Sequence, residues 1–214
     1  MEEIAVISVG AEAVLIRGKW LGLDAIKKVR IPKNYRNREL DARLRKVRTA
    51  LEARLMFEAR KVGVASPALY DVDLDECYII MEYIEGVKLR DMLARMGASE
   101  IKEIFRSLGK YAGKLHASGM VHGDLTTSNV IMSGDVPFLI DYGLGAFTYS
   151  REERAIDLHI LLRSLESTHY SLSNLAFKEF LKGYSEILEE KEVNAILEKV
   201  KEIRSRGRYV KERK

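Results

Sequence analysis

The sequence predicts an α+β fold of two lobes: a small β-rich N-terminal lobe with one long helix, and a larger, mostly helical C-terminal lobe. Three observations support this prediction. Short β-branched runs separated by glycine dominate the first third of the chain. One long segment of helical period, rich in Ala, Leu, Arg and Glu, interrupts them. The second half reads mainly as helices, with two short apolar runs among them.

The chain is long enough to bury a sizeable core. It has 214 residues, 47% of them hydrophobic and 32% charged, which indicates a folded globular protein. No apolar run reaches the length of a membrane span, and the acidic N-terminus does not resemble a signal peptide. The single cysteine, Cys77, excludes an internal disulfide and is expected to be a buried thiol on a strand. We therefore predict a cytoplasmic protein with no membrane association.

Five strands and one helix are predicted in the N-terminal part. The strands are expected at 4–10, 11–18, 23–31, 68–73 and 77–84. The helix is expected at 40–63, because its apolar period ends at Gly63 and Pro67 follows. Gly86 has the character of a hinge. The predicted division is an N-terminal lobe at 1–83, a C-terminal lobe at 84–200 and a basic tail at 201–214.

Four helices are predicted in the C-terminal part. The first, at 99–118, is expected to begin at a Ser99 cap and to end at Gly119. The other three are expected at 153–166, 173–188 and 190–204. Two motifs lie between the first helix and these three.

The two motifs place polar side chains directly after apolar runs. VHGDLTTSNVIM spans residues 121–132 and FLIDYGLG spans residues 138–145. Asp124 and Asn129, five residues apart, can face a common point, and Asp141 can join them from a neighbouring strand. Asn and Asp oxygens are hard ligands suited to Mg²⁺, which would leave Asp124 free to accept a proton or to orient a hydroxyl. This combination predicts phosphoryl transfer, with the metal on the phosphates and one carboxylate at the nucleophile.

Positive charge is concentrated in two stretches. Residues 27–48 hold ten basic and two acidic side chains, and residues 199–214 hold eight basic and two acidic ones. Such asymmetry indicates anionic partners, such as phosphate groups or nucleic acid, although a solvated surface would also explain it.

The motifs resemble those of the protein kinase-like fold, with HGDLTTSN as the catalytic loop and IDYG in place of D-F-G. The resemblance implies a bilobal kinase with a truncated C-lobe that uses ATP and Mg²⁺. Asp124 would then be the catalytic base, and Asn129 and Asp141 would hold the metal. His122 is expected to pack under the loop.

Other parts of the nucleotide site follow from the same resemblance. A kinase needs a strand lysine paired with a helix glutamate, and Glu52 is the candidate glutamate. Strand alternation puts Lys27 and Lys28 on opposite faces, so only one can serve, and the pattern alone leaves the choice open. The remaining expected nucleotide contacts are Gly10 and Ala11 at the phosphates, Met81 behind the base, and the backbone of Glu82 and Tyr83 at the base.

Several departures separate this chain from peptide kinases. Gly10 is the one retained glycine of the phosphate loop, and Gly123 and Thr126 replace the usual Arg and Lys of the catalytic loop. Asp157 follows Gly143 by only 14 positions, with no A-P-E between them. A long activation loop with a peptide platform is therefore not expected.

Nearly the whole chain is similar to the small PRPK-type atypical kinases of the KEOPS complex. The similarity includes GAEA, IPKNYRNRELDARLRKVRT, HGDLTTSN, IDYGLG, AIDLHILLRSLESTH and the terminal RGRYVKERK. In that family the lysine lies four residues before the proline of P-K-x-Y-R, here Pro32, which selects Lys28. Asp157 matches a helix residue that braces the catalytic loop.

The family implies an ATPase and Ser/Thr kinase-like subunit that supports threonylcarbamoyladenosine modification of tRNA. Its implied partners are the threonylcarbamoyl-transferase subunit, a small subunit on the N-terminal lobe, and tRNA through the basic stretches 27–48 and 199–214. Three alternatives stay open: a RIO-type ribosome-maturation kinase, a small-molecule kinase, and a nucleotide-binding scaffold without required turnover.

Overall fold

The N-terminal part of the protein is an antiparallel sheet with one long helix against it. The structure is a computed structural model that describes residues 1–209, with side-chain environments to residue 206. The strands lie in the order β1-β2-β3-β5-β4. Their bounds are β1 Glu2–Val9, β2 Ala13–Trp20, β3 Leu23–Arg30, β4 Leu69–Asp73 and β5 Tyr78–Glu82. Helix α1, Arg38–Lys61, connects β3 to β4.

The C-terminal part is mostly helical, with short strands that support the loops. It contains β6 Val87–Lys88, α2 Leu89–Met92, α3 Ala98–Ala117, β7 Met120–Val121, β8 Val130–Ser133, β9 Val136–Leu139, β10 Ala146–Phe147, α4 Arg151–Thr168, α5 Tyr170–Ser185 and α6 Glu190–Tyr209. Strands β6, β8 and β9 form one small sheet, and β7 pairs with β10. Each sequence motif therefore lies in a loop that leaves a short, buried strand.

One hydrophobic core joins the two parts. Leu55 and Met56 of α1 are buried in the same cluster as Phe105 of α3 and Leu139 of β9. Two hydrogen bonds also connect the parts, from Leu139 N–H to Ala65 O at 2.8 Å and from Ser66 Oγ to Leu139 O at 3.1 Å. The division at residue 83 remains a prediction.

Three local features differ from expectation. Helix α3 begins after Gly97, whose N–H donates to the Glu100 carboxylate at 2.7 Å, so Ser99 is not its cap. Gly86, whose hinge role remains a prediction, is also a packing position that was not expected, because a Cβ there would overlap the carbonyl of Met132. Cys77 is buried as predicted, but it lies in the turn before β5, at φ +55°.

Helix α6 continues through residue 200, where the basic tail was expected to begin, as far as Tyr209. The rest of that tail, residues 210–214, lies outside the described residues. No helix in the described part of the chain is long and apolar enough to cross a membrane.

Candidate active site

The two neighbouring lysines of β3 have different environments. Lys27 lies on the outer face, where its Nζ is 3.0 Å from Glu3 Oε1. Lys28 is buried on the face toward α1, and its Nζ donates to Glu52 Oε1 at 2.6 Å and to Asp141 Oδ1 at 2.8 Å. Burial alone would lower the pKa of Lys28, but the two carboxylates outweigh it and raise that pKa. Lys28 is therefore a charged group held between the two lobes.

Glu52 binds a second cation that the sequence analysis did not single out. Its Oε2 accepts from Arg30 Nη2 at 2.5 Å, and both side chains are almost fully buried. Strand alternation could have identified Arg30, because residues 28 and 30 share one face of β3. The Glu52 carboxylate is thus held at one oxygen by Lys28 and at the other by Arg30.

Asp141 lies just after β9 in an unusual backbone conformation, at φ +63°. Asp is among the non-glycine residues that tolerate this left-handed region best. Its side chain is half exposed, and Oδ1 accepts from Lys28 and from the Gly143 N–H at 3.2 Å. Burial would raise the pKa of Asp141, but the Lys28 ammonium and the Gly143 N–H hold it below its usual value. The carboxylate is therefore ionised at neutral pH.

Asp124 and Asn129 contact each other within their loop. Asn129 Nδ2 donates to Asp124 Oδ2 at 2.7 Å and to Asp124 O at 2.9 Å. Only an amide nitrogen can donate to a carboxylate, so this pair directs Asn129 Oδ1 away from Asp124. The Ile140 N–H donates to Asn129 O at 3.0 Å, which places the residue before Asp141 against this loop.

Asp157 of α4 braces the same loop from below. Its two carboxylate oxygens accept from the backbone N–H of His122 at 2.6 Å and of Gly123 at 2.7 Å. His116 and Tyr184 extend this buried network, since His116 lies 3.3 Å from Asp157 Oδ2 and 2.7 Å from the Tyr184 hydroxyl. These two residues have no motif around them, and the sequence analysis did not find them.

His122 and Gly123 have packing reasons for their identity. The His122 ring is buried, with Nε2 3.1 Å from Ile140 O and its centroid 4.8 Å from that of Tyr142. Gly123 has φ +79°, and a Cβ there would overlap the carbonyl of Leu144. The Arg that peptide kinases place at this position could not fit here without a change in the loop.

The segment expected to bind the nucleotide base already uses some of its backbone N–H groups in hydrogen bonds within the protein. Met81 packs half-buried against the core. The Glu82 N–H donates to Ala68 O at 2.9 Å and the Tyr83 N–H to Asp24 O at 3.2 Å. The next N–H along the chain, that of Ile84, has no acceptor among the described residues. A base bound here would therefore be held by carbonyl oxygens and by the Ile84 N–H.

The loop that contains Gly10 and Ala11 is exposed and does not contact Lys28 directly. Glu12 links it to the site, because its carboxylate lies 2.8 Å from Arg48 of α1 and 3.7 Å from Arg30. Burial raises the pKa of Glu12, but Arg48, Arg30 and Lys33 outweigh it and lower that pKa. Lys33 Nζ also donates to the Ala11 carbonyl.

Several of these side chains form one chain of ion pairs that connects the sheet, α1 and the loop after β9. It runs from Arg48 through Glu12, Arg30, Glu52 and Lys28 to Asp141. The site thus contains the buried ammonium of Lys28, the carboxylates of Asp124 and Asp141, and the amide oxygen of Asn129. This donor set can bind a polyphosphate and a divalent cation.

Comparison with known proteins supports the resemblances found in the sequence. Residues 25–158 match the RIO domain family model. The chain is 43% identical to the KEOPS complex subunit Bud32 of Pyrococcus abyssi, with 95% of each chain covered. It is also 43% identical to the probable bifunctional tRNA threonylcarbamoyladenosine biosynthesis protein of Methanothermobacter thermautotrophicus, of which it spans only 36%.

A solved structure supports the fold. The Rio2 kinase of Chaetomium thermophilum, solved as an ADP/Mg²⁺–phosphoaspartate complex, aligns with a TM-score of 0.66. The alignment covers 94% of this chain and 72% of that one, at 14% identity. The predicted bilobal, protein kinase-like α+β fold is therefore confirmed.

Proposed function

The chain belongs to the Bud32 family of KEOPS complex subunits, and from this premise we propose that it is the Mg-ATP-dependent kinase and ATPase subunit of a KEOPS complex. Its task there would be to support threonylcarbamoyladenosine modification of tRNA. One observation favours turnover over simple nucleotide binding: Lys28 donates to both Glu52 and Asp141, while Asp124, the candidate base, accepts from Asn129 in the same loop.

The residues present fit a bound Mg²⁺. The amide oxygen of Asn129 points away from Asp124. Asp141 has one carboxylate oxygen, Oδ2, that accepts a hydrogen bond from neither Lys28 nor Gly143. Oxygen atoms of this kind, completed by phosphates and water, are the ligands that Mg²⁺ prefers. When bound, the metal would neutralise charge on the phosphates of ATP.

Each remaining residue has a separate task in this proposal. Lys28 binds phosphate oxygens, and Glu52 holds the lysine in position. Asp124 orients the incoming hydroxyl or water and accepts its proton. Gly10 and Ala11 cover the phosphates. Met81 lines the back of the base, and the carbonyls of Glu82 and Tyr83 bind its edge.

Two acceptors suit this site: a Ser or Thr hydroxyl, which makes the chain a Ser/Thr protein kinase, and water, which makes it an ATPase. The activation segment, which is the stretch between Gly143 and Asp157, is too short to form a binding platform for an extended peptide. Gly123 leaves no room for the loop arginine, and α4 begins at Arg151, only shortly after Gly145. A role as ATPase is thus at least as well supported by the geometry as a role as peptide kinase.

The RIO domain match would also suit a ribosome-maturation kinase. The KEOPS proposal is preferred because 43% identity extends over 95% of both this chain and a Bud32 subunit. The alternative role would be recognised by co-purification with pre-ribosomes instead of a transferase.

The family implies the partners, and the exposed strand β1 supports one of them. We propose contacts with the threonylcarbamoyl-transferase subunit, with a small KEOPS subunit on the N-terminal lobe, and with tRNA through residues 27–48 and 199–214, in the cytoplasm. Strand β1 supports the second contact, since all its residues are exposed, and Ile4, Val6 and Val9 are each at least 60% exposed. Exposed apolar side chains on an edge strand are a common docking surface.

Release of ADP tests the function. The purified chain should release ADP in the presence of Mg²⁺, and Asp141→Asn should lower this rate by about 100-fold or more, because an oxygen ligand and a charge are lost. Asp135→Asn, an exposed aspartate in the β8–β9 turn, is the matched control and should leave the rate unchanged. An Asp141→Asn variant as active as the control would refute the metal assignment.

The same measurement with the transferase subunit and tRNA separates the acceptors. A rise in ADP without matching phosphoprotein indicates a partner-gated ATPase. ATP loss matched by phosphate on protein indicates a kinase. If ATP binds but no ADP forms under any of these conditions, the chain acts as a scaffold and the proposed turnover is wrong.

A further inference from the structure

The loop between β3 and α1 presents an aromatic ring to solvent. Tyr35 is 77% exposed, and the Arg36 guanidinium lies 5.3 Å from its ring centroid. The ring neither enters the core nor belongs to the nucleotide site described above. Its exposure therefore has no packing explanation.

This loop is held firmly at its base. Asp41, which is almost fully buried, lies 3.5 Å from Arg36 and 2.8 Å from Arg45. Asn37 caps α1 by accepting from the N–H groups of Glu39 and Leu40, and the Arg36 N–H closes a turn on Lys33 O at 3.1 Å. A ring on such a fixed loop can bind a flat ligand with little loss of conformational entropy.

Basic side chains precede and follow the ring along the chain. A cleft next to the loop is lined by Glu12 and by the cations Arg30, Lys33, Arg36, Arg45 and Arg48. In the part of the chain that the structure describes, Arg38 and Arg43 have no acidic partner within 4.0 Å. The surface thus combines an exposed aromatic face with Lys33, Arg38 and Arg43, for which the described part of the chain provides no carboxylate partner within 4.0 Å.

We infer that Tyr35 is a stacking platform for an unpaired nucleotide of RNA, with Lys33, Arg36, Arg38 and Arg43 binding the adjacent phosphates. This inference rests on the proposed function in tRNA modification. Exposed aromatic rings flanked by basic side chains are the usual means of holding single-stranded nucleic acid. Paired RNA buries its base faces, so the ring should distinguish loops and ends from duplex.

Binding of an unmodified tRNA transcript tests this inference. The full chain, alone and with the transferase subunit, is titrated at several salt concentrations by fluorescence anisotropy. Tyr35→Ala should weaken binding by about tenfold or more, because one base–aromatic stack is lost. Tyr35→Phe should bind like the wild type. Tyr170→Ala is the matched control, since that tyrosine is 81% exposed at the start of α5.

Salt and duplex RNA distinguish stacking from charge. Tyr35→Ala should leave the dependence of log K on log salt unchanged, whereas Lys33→Ala should reduce its slope by about 1. For a fully paired RNA of equal length, Tyr35→Ala should have no effect. In the absence of RNA, ADP release by Tyr35→Ala should equal that of the wild type.

Three outcomes would overturn the inference. The first is that the chain binds no RNA, either alone or with the transferase subunit. The second is that Tyr35→Ala binds the transcript as the Tyr170→Ala control does, and the third is that Tyr35→Ala binds the transferase subunit more weakly while its RNA affinity is unchanged. The last outcome would make this surface a protein interface. Failure of the proposed function is seen separately, because it appears as absent ADP release even when transcript binding depends on Tyr35.

Discussion

At the scale of single residues, the Glu52 carboxylate is the point where α1 binds the sheet, because two cations of β3 contact it and one of them, Lys28, also binds Asp141. In a simple lysine–glutamate pair, the glutamate could move when the lysine turns to a phosphate. Here Arg30 binds the second oxygen at 2.5 Å, so Glu52 keeps one partner whatever Lys28 does. We therefore expect Arg30 to position Glu52 in the site and to hold α1 against the sheet.

Replacement of Arg30 by Met should lower kcat for ADP release by about 10- to 100-fold, because a charge-assisted hydrogen bond to a buried carboxylate is lost. Arg30→Lys should restore part of the rate. Lys27→Met is the matched control, since Lys27 lies on the opposite face of the same strand. Thermal melting of each variant reports whether it folds. A folded Arg30→Met variant with a normal rate would contradict the positioning role.

At the scale of elements, the crossing of α3 and α5 requires glycine. A Cβ on Gly109 would overlap the carbonyl of Phe180, and a Cβ on Gly183 would overlap the carbonyl of Arg106. The two helix backbones thus approach more closely than any larger residue allows. This contact also sets the position of Tyr184, which adjoins His116 and, through it, the Asp157 brace.

Substitution of Gly109 by Ala should destabilise the protein even though alanine favours helix. Overpacking costs about 3 kcal/mol, against about 1 kcal/mol gained in helix propensity, so a net loss of roughly 2 kcal/mol is expected. For a chain of this length, the melting temperature should fall by about 4 to 8 °C. Gly10→Ala, whose Cβ would make only an ordinary contact at 3.4 Å, is the control and should melt like the wild type. Equal melting of the two variants would show that the crossing can relax.

At the scale of the whole molecule, ion pairs make stability depend on pH. The following carboxyl groups have a pKa lowered by Lys or Arg partners: Glu12, Asp41, Asp75, Asp141, Glu179, Glu186, Glu192 and Glu202. A lowered folded-state pKa contributes stability above the unfolded value of about 4, and that contribution is lost as pH falls through the folded value. Lys28 has the opposite pH dependence. Its folded-state pKa is raised, so its contribution to stability is lost only as pH rises through that pKa.

The urea midpoint should therefore fall modestly from pH 7 to about pH 5, because burial lowers the pKa of His159 and His169, and should fall more steeply below about pH 4, where the carboxylates are protonated. Glu192→Gln removes the carboxylate that binds Arg151 and Arg154, so its midpoint should depend less steeply on pH in the acid range. A midpoint that stays constant down to pH 3 would show that these pairs contribute little to folding.

Much of the architecture could be predicted because its signals are local. Glycine-separated β-branched runs gave the N-terminal strands, and the apolar period ending at Gly63 gave α1, which ends at Lys61. The short strand β6 and helix α2 were not predicted, because two and four residues are too short for a period to show. The packing role of Gly86 was missed because its close contact with Met132 comes from a distant strand.

By itself, the sequence determined the order of the elements and the residue types of the site, since spacing within HGDLTTSN and IDYG is a local property. Only the tertiary structure decided which groups meet. Arg30 reaches Glu52 across 22 residues and Lys28 reaches Asp141 across 113, and His116 joins Asp157 across 41. Such contacts depend on how the sheet, α1 and the helical part pack, and packing is settled by the burial of one shared core that no single segment contains.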